Sequence, residues 1–281
     1  MWDVFADEPW TLNGSRVLGG SATAVAAHLA ALGAEVRLVS AVGDDPEGER
    51  ALRELAQRRI NVSGVCRVAG SPTAAVAIRV QAEGEPEYEA SHRLDWAEVD
   101  FEPGLSAAVV DAHALTFGLF AQGACLDLGA LERALLRDRP RLVGCDLNLR
   151  RAVPPDLLAR VARNVDFLKL NQREYERVAQ ALAGDEPTSW LLRAGRTQLV
   201  ALTLGDGGAR LITPNKVFTH AAHAAARLVD TVGAGDAFMA ALTLALVADL
   251  PPQDALASAV ARAEAQLSVR GAMPVNRGES G

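Results

Sequence analysis

The chain has 281 residues, is 49% hydrophobic and carries a formal net charge of −7. That length suits one large α/β domain over residues 1–281, with room for a small appendage and ample apolar content for burial. The acidic balance and the lack of any basic run argue against a nucleic-acid surface, and the apolar run at 237–247, closed by Asp249 and two prolines, is too short to span a membrane.

No secretory leader is read at the start, and Cys66, Cys125 and Cys145 are too widely spaced for a metal or redox pattern. Reduced thiols in a cytoplasmic protein are expected. The five histidines share no ligand spacing, and His28, inside a helical stretch, reads as a packing residue.

In chain order, residues 1–5 are short and extended, with Asp3 among them. Gly19 and Gly20 lead into a helix over 21–32, with Ser21 as N-cap and Gly33 as the stop. A strand over 35–42 runs into Gly43-Asp44-Asp45-Pro46, where Asp45 caps and Pro46 opens a helix to about residue 59. A strand lies near Val65, over 63–67, and 73–92 forms a hairpin turning at Glu83 and Gly84. Residues 109–117 read as strand, 118–122 as loop and 131–136 as helix. The strand over 142–147 ends in Asp146-Leu-Asn148-Leu-Arg150, at the kind of strand end where open α/β sheets place ligands.

The strand over 165–170 carries Lys169, read as a surface charge at a strand end, and runs into Asn171-Gln-Arg-Glu174. Asn171 and Glu174 stand three apart, which is the spacing of a capping box and also lets two oxygen donors reach one side of a helix start. Such donors, with retained waters, suit Mg²⁺. A strand over 199–204 is followed by the glycine turn Gly205-Asp-Gly-Gly208 and a strand over 209–212. An amphipathic helix over 255–267 and a frayed tail close the chain.

The most informative stretch is Asp230-Thr231-Val232-Gly233-Ala234-Gly235-Asp236-Ala237-Phe238. It reads as an extended segment, a glycine turn and an apolar, buried helix. Gly233 and Gly235 let backbone N–H groups gather round an anion at a helix N-terminus. Asp236 stands where the helix dipole favours its charged form, the form a general base needs. An ordinary glycine turn with Asp236 as N-cap is the alternative reading.

This stretch resembles the C-terminal signature of the ribokinase-like (PfkB) carbohydrate kinases. The passage from Gly19-Gly20 through Gly43-Asp44-Asp45 to Gly48 resembles their N-terminal signature, in the correct order. Gly84 to Tyr88, with Asp95-Trp96, resembles the fructokinase-like branch more softly. The resemblance runs from about Asp3 to Ala272. It implies an α/β, three-layer fold, with a mostly parallel central sheet, helices on both faces, and a small β-lid that often mediates homodimers.

By the same resemblance, Asp236 takes the proton of the substrate hydroxyl, and the backbone of Gly233, Ala234 and Gly235 holds the transferring phosphate. Asp3, Gly19, Gly20 and Arg150 face the sugar. Asn171 and Glu174 form the metal-phosphate motif, with Mg²⁺ near Glu174. Thr203, Gly205, Gly208 and Gly271 line the ATP. Several family members respond to K⁺, but no monovalent-cation site is identifiable here. The implied reaction is ATP-dependent phosphorylation of a primary hydroxyl on a small sugar, fructose first. 2-Keto-3-deoxygluconate and nucleoside kinases are the alternatives, as is a truncated or inactive ligand-binding homologue. A dinucleotide-binding oxidoreductase is weakly supported, since no fingerprint follows the first strand.

Three departures stand out. Residues 1–5 resemble only the tail of the family's opening segment, so the strand expected ahead of the aspartate matching Asp3 either belongs upstream of Met1 or is lacking. Ala24 stands where the family carries a sugar-binding asparagine, and alanine offers no side-chain hydrogen bond. Gly123 follows Gln122 where the fructokinase-like branch has a basic residue.

Overall fold

The computed structural model describes residues 2–5, 15–79, 87–92, 99–121, 124–125, 127–149, 152–223 and 228–275. Arg150, Gln122, Gly123, the 83–84 turn, Asp95-Trp96 and the tail after 275 therefore lie outside the described residues. The chain divides into two compact units. One comprises 1–108, 225–240 and 262–281; the other comprises 109–224 and 241–261.

The first unit begins with strands β1 (Trp2–Phe5) and β2 (Ser15–Leu18), helix α1 (Ser21–Ala31), strand β3 (Val36–Gly43), helix α2 (Pro46–Gln57) and strand β4 (Ile60–Val68). Strands β5 (Ala75–Arg79) and β6 (Glu87–His92) and helix α3 (Glu102–Val109) follow. β1 pairs antiparallel with β2 and parallel with β5, and β5 pairs antiparallel with β6, giving the sheet order β2-β1-β5-β6. β4 pairs parallel with β3 in a separate ladder, so the strand over 60–68 and the hairpin strands belong to different sheets. Leu18, Ala24, Ala27, Leu38, Leu55 and Ile60 meet in this unit's core.

Capping chemistry sets α2 and passes its constraint onward. Asp45 Oδ1 accepts from Gly48 N at 2.8 Å, as the cap. The same carboxylate accepts from Thr73 N at 2.7 Å and from the Thr73 hydroxyl at 2.5 Å. The root of β5 is thereby tied to the turn before α2. In α1 the cap is Gly20 and not Ser21, which is the first helical residue and makes no side-chain cap bond. The reason is that the Ser21 hydroxyl is engaged elsewhere, as described below.

The second unit holds strands β7 (Ala114–Gly118), β8 (Phe120–Ala121) and β9 (Ala124–Cys125), helix α4 (Leu128–Arg137), strand β10 (Leu142–Asp146) and helix α5 (Pro155–Asn164). It continues with β11 (Phe167–Asn171), α6 (Gln172–Ala181), α7 (Pro187–Arg193), β12 (Leu199–Thr203), β13 (Ala209–Ile212) and β14 (Val217–His220). Residues 109–111 close a helix and its turn, so the strand expected from residue 109 begins at Ala114. The sheet order is β14-β13-β12-β11-β10-β7, with β7, β10, β11 and β12 parallel.

Parallel neighbours need crossover connections, and α4, α5 and the α6–α7 pair supply them. Strands covered on both faces become near-continuous apolar runs, which is why β10, β11 and β12 are almost wholly buried along their length. Leu158, Val161 and Ala162 present one buried stripe of α5 to the core formed with Val143, Leu168 and Leu170. Helices α8 (Ala234–Val247) and α9 (Pro252–Gln266) each run from one unit into the other. Ala237 to Leu242 are buried all round the α8 axis, as its apolar sequence demands.

Candidate active site

The glycine turn and its helix lie in the first unit. Asp230 is buried, and each of its carboxylate oxygens has an amide: Oδ1 accepts from Val232 N at 2.8 Å, and Oδ2 from Gly271 N at 2.9 Å. Gln266 Nε2 donates to Gly271 O at 2.6 Å. One aspartate therefore fastens the 230–233 turn to the 271–272 loop. Gly233 has φ 80, and a Cβ there would lie 2.5 Å from Ala272 Cα. Only glycine meets both the left-handed backbone and that approach.

Gly235 and Asp236 follow in the first turn of α8, where the peptide dipoles leave partial positive charge. The Ser21 hydroxyl donates to Asp236 Oδ1 at 2.6 Å. Ser21 opens α1, so the carboxylate stands at the positive ends of two helices. Gly20 allows the approach with φ 95.

His28, fully buried in α1, binds the other side of the 271–272 loop. Arg262 Nη2 lies 3.1 Å from His28 Nδ1, and His28 Nε2 lies 3.2 Å from Ala272 O. Arginine can only donate, so Nδ1 accepts and Nε2–H donates to the carbonyl. Burial, then the Arg262 charge, hold the imidazole down at about 4, which keeps it neutral.

In the second unit, β10 and β11 end side by side, with Asp146 in register with Lys169. Lys169 was expected at the surface, but it is 5% exposed and its Nζ donates to Asp146 Oδ2 at 2.7 Å. A lysine on a fully covered strand needs a counter-charge, and the neighbouring strand provides one. Asp146 Oδ1 is buried with no hydrogen-bond partner.

Asn171 and Glu174 form a reciprocal capping box. Asn171 Oδ1 accepts from Glu174 N at 2.9 Å, and Glu174 Oε2 from Asn171 N at 2.8 Å. Glu174 Oε1 also accepts from Leu149 N at 2.8 Å, and Arg177 donates to Leu149 O. Burial, then the Asp146 carboxylate, push the Glu174 carboxyl up to about 7, against Lys169 and the two amides. Leu147 N donates to Lys169 O at 2.9 Å, and between Leu147 and Leu149 Asn148 takes φ 44, a conformation asparagine tolerates.

Thr203 is in register with Asn171 across β11 and β12. Gly205 has φ 60 and Gly208 φ 84, and a Cβ at Gly208 would meet His220 O at 2.1 Å. The turn they bracket is thus pressed against the strand β14. Asp3 lies on β1 in register with Val17 and Val76. Gly19 is buried just ahead of Gly20. Among the described residues, no three His, Cys, Asp or Glu side chains gather to hold a metal, and no helix is long and apolar enough to cross a membrane.

Sequence reasoning did not single out Ser21 as a partner of Asp236, Asp230 as the clasp of the turn, or Lys169 as a buried cation. Asp230 did carry a signal, since it opens the quoted motif. The other two depend on which strands and helices become neighbours.

The second unit's mostly parallel sheet with its crossover helices belongs to an α/β architecture of the ribokinase-like kind, and the fold is shared with a ribokinase of Arabidopsis thaliana at a TM-score of 0.74 and 20% identity, covering 97% and 92% of the two chains. The chain belongs to the pfkB family of carbohydrate kinases, which it matches over residues 11–277. Among its relatives, Fructokinase-1 of Oryza sativa subsp. japonica is 28% identical over 244 residues, covering 82% of this chain and 74% of that protein. A fructokinase of Klebsiella pneumoniae is 30% identical over 264 residues, 88% of this chain and 83% of that protein. The fold is shared with a 2-dehydro-3-deoxygluconokinase of Thermotoga maritima at a TM-score of 0.81 and 19% identity, covering 98% and 94% of the two chains. It is also shared with a sugar kinase of Pyrococcus horikoshii in complex with ATP, at 0.74 and 22%, covering 97% and 91%.

Proposed function

We propose that the chain transfers the γ-phosphoryl group of ATP to a primary hydroxyl of a small sugar, fructose first, with Asp236 as the base. The observation that carries this reading is the Asp236 carboxylate at the starts of α1 and α8, one residue beyond the Gly233–Gly235 turn. A carboxylate there can accept the hydroxyl proton as the oxygen attacks phosphorus. Backbone N–H groups of residues 233–236 supply positive ends where charge grows on the transferring group. Asp230, Gln266 and His28 hold that backbone and the 271–272 loop in place before substrate arrives.

The nucleotide side is assigned to Asn171, Glu174, Thr203, Gly205, Gly208 and Gly271, and the sugar side to Asp3, Gly19, Gly20 and Arg150. Mg²⁺ fits Asp146 and Glu174: both are hard oxygen donors, and the buried Asp146 Oδ1 lacks a hydrogen-bond donor. When bound, the ion supplies charge that neutralises the ATP phosphates. Fructose comes first because fructokinases are among the relatives. A second acceptor, 2-keto-3-deoxygluconate, is kept because a 2-dehydro-3-deoxygluconokinase shares the fold; Ala24 is fully buried in the core and offers no side-chain hydrogen bond where the family has an asparagine, which speaks against the family's usual sugar without naming another. A cytoplasmic location is proposed on the wide spacing of the cysteines, which suits reduced thiols, and a homodimer through the 73–92 hairpin accords with the family's lid.

The test is ADP release with Mg-ATP across fructose, ribose, 2-keto-3-deoxygluconate and adenosine. Turnover that depends on one of the sugars is expected. Bound ATP with no acceptor-dependent turnover would reject the reading.

A further inference from the structure

A serine at the start of a helix ordinarily caps it, its oxygen accepting an amide of the first turn. Ser21 does not: Gly20 is the cap, and no side-chain bond closes that end. Its hydroxyl instead reaches a residue 215 positions away and donates to Asp236 Oδ1 at 2.6 Å. That length is in the range of a hydroxyl bonded to an ionised oxygen.

Both ends of this bond rest on fixed elements. Ala24 N donates to Gly20 O at 2.8 Å, and Ala24, Ala26 and Ala27 bury α1 in the core. His28, one turn further on, is held between Arg262 and Ala272 O. At the other end, Ala237 N donates to Gly233 O at 2.8 Å, closing the first turn of α8. The last torsion of an aspartate side chain is soft. A donor on a rigid helix constrains it.

We propose that Ser21 is the positioning residue for the base: its hydroxyl orients the Asp236 carboxylate and stabilises it as the anion that accepts the sugar proton. The proposal rests on the reading of Asp236 as base. The proton on the Ser21 oxygen stays there; only the sugar proton moves to Asp236.

The test uses the full chain with Ser21→Ala, Ser21→Cys and Ser21→Thr, Mg-ATP, and whichever of the four acceptors above turns over. Ser21→Ala is expected to lower kcat about tenfold, the order set by losing one hydrogen bond to a charged group, with KM for ATP held. It should also move the acidic limb of the rate profile to higher pH, because the anion has lost a donor. Ser21→Thr should restore both, and Ser21→Cys, a weaker donor, should fall between. A second arm needs no substrate: carbon-13 titration of the Asp236 carboxyl, assigned by its loss in Asp236→Asn. Its titration should move to higher pH in Ser21→Ala and return in Ser21→Thr. An unmoved titration, or faster turnover in Ser21→Ala, overturns the proposal. Failure of the base assignment reads differently, as turnover that survives Asp236→Asn while the Ser21→Ala shift persists.

Discussion

Lys169 Nζ and Asp146 Oδ2 meet with both side chains 6% exposed. Removing one member of so buried a pair strands the other's charge. Lys169→Met is therefore expected to cost about 3–5 kcal/mol in urea unfolding, and the double change with Asp146→Leu to recover much of it. A cost under about 1 kcal/mol, the level of exposed pairs, would contradict the buried geometry. His28 gives a pH dependence. The unfolded imidazole takes a proton below 6.5, and the folded one only below about 4. Its contribution is complete above pH 6.5 and lost as pH falls through 4. Tm should fall across that window, and His28→Gln should flatten the slope. These two residues also mark what sequence can say. His28 sits in an alanine-rich helix, and its packing role is legible from that pattern. Lys169 reads as a surface charge because its counter-ion lies 23 positions away, on a strand whose register is a property of the sheet.

The element that organises the first unit is the turn into α8, and its rigidity comes from two contacts with the 271–272 loop. Gly233→Ala would force a methyl group against Ala272 at φ 80. A loss of about 1–3 kcal/mol is expected, with reduced turnover; unchanged Tm and turnover would show that the turn is not so constrained. Asp230→Asn replaces one of two acceptor oxygens by a donor. It leaves the Val232 or Gly271 amide unpaired, a cost of about 1–3 kcal/mol by denaturant unfolding. Most elements here were legible. Asp45 with Pro46, and Asn171 with Glu174, are local signals, and both caps form as expected. The start of α1 was not, since the Ser21 hydroxyl has a competing partner remote in sequence. The strand expected from residue 109 failed because Val109 and Val110, β-formers by type, finish a helix and its turn. Tertiary packing overrides such propensities.

Over the whole molecule, the two sequence signatures identified the family because they are short, contiguous and in order. The match over residues 11–277 agrees with them. What contiguous motifs do not carry is the acceptor, since the positions that the resemblance assigns to it, Asp3 and the asparagine position held here by Ala24, are scattered and one of them departs from the family. The central claim is catalytic and has a direct measurement. Phosphoryl transfer from Mg-ATP to fructose should be compared for the native chain and Asp236→Asn, with ATP binding followed by calorimetry. The native chain should form fructose phosphate. The variant should lose roughly 10²–10⁴-fold in turnover while still binding ATP. Near-native turnover by Asp236→Asn would contradict the account.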